Sequence, residues 1–250
     1  MKHIDEVILA TKGKLIEWDV MNEPFDNFDL MEICGDDIMV DFYKRAKERD
    51  NKTKLFINDY GILSGGGKLQ GHQDHYYKTI EYIKNNEGPI EGIGMQGHFS
   101  YSVTPPETLW RILDRFSEFS IPIGITEFDV AMDDEEYQAQ YTRDFMTAIF
   151  AHPQTNEILM WGFWEEMHWK PEAAIYRTDF SLKPNGKVWR ELIYDKWWTT
   201  ESGKTNDKGI FGFRGFKGDY AYVLKDGEGK IVKKGTFKIG EKPLALTIRP

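Results

Sequence analysis

The chain has 250 residues, 40% of them hydrophobic and 29% charged, which is a globular composition large enough for one sizeable core and a small appendage. Its formal net charge of -9 argues against nucleic acid and anionic membrane as partners, and its single cysteine, Cys34, excludes a disulfide within the chain. No apolar run reaches the roughly 18 residues of a membrane-spanning helix.

Residues 3–12 place Ile4, Val7 and Ile8 at helical spacing, with Gly13 as the stop. This opening reads as an amphipathic helix and not as a signal peptide, so an export signal is expected upstream or not at all. A strand over 15–20 delivers Asn22 and Glu23. After a loop, Asp36 or Asp37 is expected to cap a helix with Ile38, Met39, Phe42, Tyr43 and Ala46 on one face. The next strand, from Lys54, ends in Asn58-Asp59-Tyr60. Ser64-Gly65-Gly66-Gly67 lacks the Lys-Ser/Thr ending of a phosphate loop and reads as a flexible rim.

A helix over 71–86 should bury Tyr76, Tyr77, Ile80 and Ile83, and a strand over 93–98 ends in Gln96-Gly97-His98. Pro105-Pro106 opens a helix that turns Leu109, Ile112, Leu113 and Phe116 inward. A strand over 121–126 presents Glu127 and Asp129. A helix over 134–151 should bury Tyr137, Tyr141, Phe145 and Ala148; it leads to a strand over 157–164, and a last helix covers about 186–197. Beyond residue 200 short alternating runs at 210–213, 220–224, 231–233 and 244–248, with turns at Asp226-Gly227 and Gly240, suggest a small antiparallel sheet.

Five strand–helix alternations with polar residues at the strands' C-terminal ends imply an α/β fold with a parallel sheet, of (β/α) barrel type. Five units do not close an eight-stranded barrel, so three further strands are expected outside this chain. The expected organisation is a partial barrel over 1–200, supplying strands 4 to 8, and a β extension over 207–250.

Glu23 and Glu127 each stand where an apolar strand gives out. A carboxylate there is costly to desolvate unless it is paired or used. Together they suit a retaining glycosidase, in which one carboxyl protonates the leaving oxygen and a second, about 5–5.5 Å away, attacks the anomeric carbon. Asn22 is placed to contact the sugar 2-hydroxyl, and His98 held by Asp129 would keep Glu127 ionised and oriented. Trp161, Trp164 and Trp169 are either core or sugar-stacking platforms. His72 and His75 lack the further donors that a metal site needs, and Cys34 lacks a base, so no metal and no cofactor are expected.

Trp18-Asp19-Val20-Met21-Asn22-Glu23-Pro24, Asn58-Asp59-Tyr60, Gly92 to His98, Ile125-Thr126-Glu127-Phe128-Asp129 and Trp161-Gly162 resemble glycoside hydrolase family 10 in order and spacing over about residues 1–200. That family consists of retaining endo-β-1,4-xylanases on (β/α)8 barrels. The resemblance implies Glu23 as acid/base and Glu127 as nucleophile, supported by Asn22, His98 and Asp129. It implies Tyr60, Gln96, Trp161 and Trp169 as walls of the subsites beside the cleaved bond. Trp197 to Tyr220 is similar to the C-terminal extension of some members. Xylan or xylo-oligosaccharide is then the partner, along with the N-terminal portion of the same barrel, which in some members carries an inserted carbohydrate-binding module. A secreted or envelope-associated location follows. Glu165-Glu166-Met167-His168-Trp169 departs from the family's usual Asp and Ser, which bears on aglycone or side-chain preference. The alternatives are a β-1,4-glucanase of the same mechanism, and a non-catalytic xylan-binding barrel fragment.

Overall fold

A computed structural model describes residues 1–249. The chain divides into two compact units, residues 1–188 and 189 onward.

The first unit is built on a five-stranded sheet, order β1-β2-β3-β4-β5, in which every pairing is parallel. The strands are β1 (Glu17–Asn22), β2 (Lys54–Asp59), β3 (Gly92–Phe99), β4 (Ile123–Val130) and β5 (Thr155–Met160). Helices α1 (Lys2–Thr11), α2 (Asp29–Cys34), α3 (Asp37–Arg49), α4 (Gln70–Asn85), α5 (Pro106–Ser117), α6 (Glu135–Ala151) and α7 (Pro184–Arg190) precede, join and follow them. Short parallel strands need crossovers, and apolar stripes on the helices supply the cover for one face of the sheet. On α5 the stripe is Leu109, Ile112, Leu113 and Phe116, all buried as the periodicity predicts. On α6 it is Tyr141, Phe145, Met146 and Ile149, with Phe145 stacked on Phe128 of β4 at 4.6 Å. The Asp134 side chain caps α6, accepting from the Glu136 and Tyr137 backbone N–H groups. Asp5 of α1 accepts from Arg45 Nε (2.7 Å) and Arg49 Nε (2.8 Å) of α3, which ties those two helices together.

The other face is concave. Glu17 on β1 and Glu157 on β5 lie close enough for Glu17 to raise the Glu157 carboxyl, although these strands lie at opposite ends of the sheet order. The sheet is therefore rolled, and inward side chains of alternate strands meet as they do in barrel layers. Two glycines make room for this filling. A Cβ on Gly124 would lie 2.2 Å from Glu157 Oε1, and one on Gly94 would lie 2.7 Å from Asn58 Oδ1.

Several element boundaries differ from the sequence expectation. The first strand runs two residues later than 15–20, because Leu15 and Ile16 are exposed, at 39% and 80%, and the ladder begins at Glu17. Glu127 and Asp129 lie within β4 and not after it, whereas β5 ends at Met160 and leaves Trp161 to Trp164 in the following loop. Asp36 precedes α3 without a side-chain cap, and Val40 joins its buried face. Tyr137 is 41% exposed, since it falls in the first turn of α6, ahead of the stripe that meets the sheet. The glycine run is no loose rim. Gly65–Gly67 forms a tight turn with all three residues in the left-handed region, and Gly66 N–H donates to the Ser102 carbonyl (3.1 Å).

In the second unit α7 continues as a π-helical turn, Glu191–Lys196, and the chain later forms one antiparallel hairpin of β6 (Gly218–Lys225) and β7 (Ile231–Ile239). Asp226 closes it by accepting from the Glu228 and Lys230 N–H groups. Tyr220 stacks on Phe237 at 5.2 Å, and the Tyr222 ring covers Gly235. The runs at 210–213 and 244–248 form no strands. No helix of the described residues is long and apolar enough to cross a membrane.

The carboxyl of Glu157 is pushed up to about 8, first by burial and then by Glu17 and Asp19. Unfolded, the same group ionises near the ordinary 4.5, so between these values the folded chain holds the extra proton and stability falls as pH rises. Glu157→Gln is neutral throughout. Its melting temperature should exceed that of the parent chain at pH 8, and the gap should narrow at pH 5; an equal gap at both would contradict the assignment.

Candidate active site

The polar ends of β1 to β4 converge on the concave face. Two breaks in register decide which side chains point there. Between Asp19 and Met21 the β1–β2 pairing skips a residue, so Met21 pairs with Ile57 and Asn22 with Asn58. Strict alternation from Glu17 and Asp19 would have turned Asn22 away. Between β3 and β4 the pairing passes from Met95↔Ile125 to Gln96↔Glu127. Thr126 and Glu127 thus both face inward, where their side chains meet Asn58. Bulges re-aim side chains in this way, and both lie at the site's two glutamates.

Glu127 is 9% exposed and is held at both oxygens. Asn58 Nδ2 donates to Oε1 at 2.9 Å, and His98 Nε2 lies 3.3 Å from Oε2. The other His98 nitrogen, Nδ1, is 3.1 Å from Asp129 Oδ1, an ion pair at hydrogen-bond length but bent in angle. Burial alone would lower the His98 ring, but Asp129 and Glu127 outweigh it and carry it up to about 9. With a carboxylate at each nitrogen, His98 is an imidazolium at neutral pH; its Nε2 donates to Glu127, and its Nδ1 side is held to Asp129 by charge. Trp169 Nε1 donates to Asp129 Oδ2 at 2.7 Å, and the Trp169 ring stands edge-on to His98 at 5.1 Å.

Glu23 occupies the first position after β1 with φ 56, the left-handed region that side chains other than glycine enter at a cost. Its N–H donates to the Asn58 carbonyl (2.8 Å), and its own carbonyl accepts from Asn27 N–H (2.9 Å), which hold the turn. Its carboxylate accepts from Gln96 Nε2 at 2.9 Å. Gln96 is 2% exposed and is the register partner of Glu127, so one rigid amide lies between the two glutamates. Tyr60 donates from its hydroxyl to Asp26 and is pushed up to about 12 by that bond. Trp161 and Trp169 are 45% and 55% exposed, open rings and not core; Trp164 instead stacks on Phe180 at 4.9 Å.

Eight of the nine site residues expected from the sequence are therefore linked through hydrogen bonds, register or ring contacts, and Tyr60 joins them through Asp26, whose N–H donates to the Glu23 carbonyl. Two further residues belong with them. Asn58 accepts from Thr126 Oγ1 (2.6 Å) and donates to both Glu127 and Asn22 Oδ1 (2.8 Å), the joint of the whole network. Asp59, fully buried, accepts from the Tyr60 and Phe25 N–H groups, and burial followed by the nearby Glu23 and Asp26 brings its carboxyl to about 7. The signal for both was their place at a strand's C-terminal end beside Tyr60. Among the described residues no group of three or more His, Cys, Asp or Glu side chains is placed to hold a metal ion.

The rolled parallel sheet thus carries two glutamates, a His–Asp pair and two open indoles at or just beyond its strand ends. The family model for glycosyl hydrolase family 10 matches residues 1–191, and the chain belongs to that family. It is 33% identical over 240 residues to Anti-sigma-I factor RsgI6 of Acetivibrio thermocellus, covering 95% of this chain and 30% of that protein. It is 30% identical over 246 residues to Endo-1,4-beta-xylanase 1 of Arabidopsis thaliana, covering 98% of this chain and 25% of that one. Among solved structures, xylanase 10B from Thermotoga petrophila in complex with xylobiose superposes with a TM-score of 0.68 at 25% identity, over 78% of this chain and 64% of that. Xylanase 10B from Thermotoga maritima gives 0.68 at 26%, over 78% and 65%. These neighbours establish the five strands as part of a TIM barrel. The chain spans about a quarter to a third of the curated relatives it first matches.

Asn58→Ala removes donors from two groups on the concave face at once. Leaving buried Glu127 without one of its partners should lower unfolding free energy by about 2–3 kcal/mol in urea titration. A loss below about 0.5 kcal/mol would show that the network does not depend on Asn58.

Proposed function

We propose that this chain supplies the catalytic face of an endo-acting retaining β-1,4-xylanase. The observation that carries the reading is the linked pair of glutamates: Gln96 bonds Glu23 and is paired in register with Glu127, whose two oxygens are held by Asn58 and His98. A carboxylate with a fixed amide on one oxygen and an imidazolium beside the other is aimed, as a nucleophile must be. Glu127 attacks the anomeric carbon while Glu23 gives its proton to the leaving oxygen. Glu23 then takes a proton from water, and that water displaces Glu127 from the glycosyl-enzyme. Asn22, held by Asn58, contacts the 2-hydroxyl, where a hydrogen bond strengthens as oxocarbenium character develops. Tyr60, Gln96, Trp161 and Trp169 line the neighbouring subsites, the indoles as sugar platforms. No cofactor enters this chemistry.

Family membership and relatives named as xylanases, one solved with xylobiose, support this substrate. The open edges of the described sheet, β1 and β5 with one neighbour each, support a barrel completed by an N-terminal portion of three strands, with room for an inserted carbohydrate-binding module. A polymeric substrate supports a location outside the cell or at its envelope. The partial barrel extends over 1–200, and 207–250 is a β extension. A second reading, recognition of the sugar without cleavage, draws on the 33%-identical relative named for a regulatory role.

Xylohexaose incubated with this chain, alone and with its N-terminal portion, should release the β-anomer first in proton NMR. Release of the α-anomer first contradicts retention, and binding without cleavage by the folded protein selects the second reading. Glu127→Ala should abolish turnover on every substrate. Glu23→Ala should keep most of its rate on aryl xylosides with good leaving groups, which need little protonation, and lose roughly 10²–10⁴-fold on xylan. Equal losses on both substrates would exchange or remove these roles.

A further inference from the structure

His168, in the loop after β5, is a buried imidazole beside Asp129 to which the mechanism above gives no task. Its side chain is wholly enclosed. Its Nδ1 accepts the Lys170 backbone N–H at 3.1 Å. A backbone N–H only donates, so Nδ1 carries no proton and a neutral ring must carry it on Nε2. Burial lowers the ring's pKa, against the raising effect of Asp129 and the Trp161 carbonyl, which keeps it neutral. Nε2 completes no hydrogen bond, neither to the Trp161 carbonyl beside the ring nor to Asp129 Oδ2, which lies 3.9 Å away and already accepts from the Trp169 N–H. The ring also fixes the turn behind it: a Cβ on Gly162 (φ 79) would lie 2.7 Å from His168 Cδ2, so only glycine lets Trp161 and Trp169 flank it.

An enclosed donor that completes no hydrogen bond while standing 3.9 Å from a carboxylate oxygen is a costly arrangement unless the contact is used. We propose that His168 is a positioning residue for the nucleophile, its Nε2–H pinning Asp129 Oδ2 together with Trp169 so that Asp129 Oδ1 stays on His98 and His98 stays on Glu127. The inference rests on the role given to Glu127 above. The titratable groups around this relay are Glu127 and Asp129 from β4, His168 itself, and Glu172 in the turn that follows it. From the loop after β2, Ser64 donates to the His98 carbonyl. His98 is charged below about 9 and loses its hold on Glu127 as pH rises through that value. Without the pin the Asp129 carboxylate rotates, its contact with His98 weakens, and the His98 midpoint falls.

The test separates donor from bulk. Gln at 168 places an N–H near the Nε2 position, whereas Asn keeps only an acceptor for Lys170. His168→Asn should lower the NMR titration midpoint of His98 by about one unit, a tenfold change in its proton affinity. It should move the alkaline limit of kcat down by the same amount, while His168→Gln leaves both near the parent values. An unmoved His98 midpoint in His168→Asn, or equal shifts in both variants, overturns the proposal. The parent chain gives an independent check that needs no variant to fold: ring nitrogen shifts of His168 must report the neutral Nε2–H form, and an Nδ1–H form overturns it. Because the His98 titration is read without turnover, absence of cleavage would count against the xylanase reading and not against this one.

Discussion

The structure depends on the grip of three neighbouring strands on one carboxylate. Asn58 from β2 and His98 from β3 hold the two oxygens of Glu127 on β4. In a parallel sheet the C-terminal ends of adjacent strands lie at one level, so polar residues that end three successive strands meet without any long loop to place them. Rigid elements give the site its precision, because each ligand of Glu127 is anchored in a ladder before any side chain is chosen. Glycines at 94 and 124 complete the arrangement by yielding volume to Asn58 and Glu157.

The cost of this geometry is a polar barrel floor. Asp19 is raised to about 6 by burial, then by Glu127 and Glu17, while Glu157 keeps its proton to about 8. Asp19 is solvent-exposed by surface area and yet surrounded by protein, as expected of a group on the floor of an open trough. Stacked acids facing a low-dielectric interior hold protons that they would release in water, so the lower trough trades stability for a rolled sheet. The strain at Glu23, φ 56, is the same kind of exchange at the rim.

Much of this was legible in the sequence because apolar runs that end in charged or amide residues are rare without a reason. Strand order, the facing stripe of α5 and the grouping of Glu23, Asn22, His98, Glu127 and Asp129 all follow from that pattern. Register did not. A bulge shifts which residue faces inward without changing composition, so Asn22 and Glu127 look, by strict alternation, as if one of each neighbouring pair must turn away. Apolar character misled at Leu15 and Ile16, which precede the ladder, and in β5, where Trp161 to Trp164 read as strand but stand in a loop. Asn58 escaped notice as a ligand because an amide at a strand end announces nothing about its partners across the sheet. At the C-terminal end, alternating runs promise strands that need neighbours to form, and only 218–225 and 231–239 find each other.

The most direct measurement is mass spectrometry of the folded protein, joined with its N-terminal portion, after incubation with a 2-deoxy-2-fluoro-xylobioside bearing a good leaving group. Fluorine slows breakdown of a glycosyl-enzyme more than a good leaving group lets its formation be slowed, so the intermediate accumulates. The account predicts a single xylobiosyl adduct on the peptide containing Glu127. An adduct on another residue, or none while the folded protein turns over xylohexaose, would contradict it.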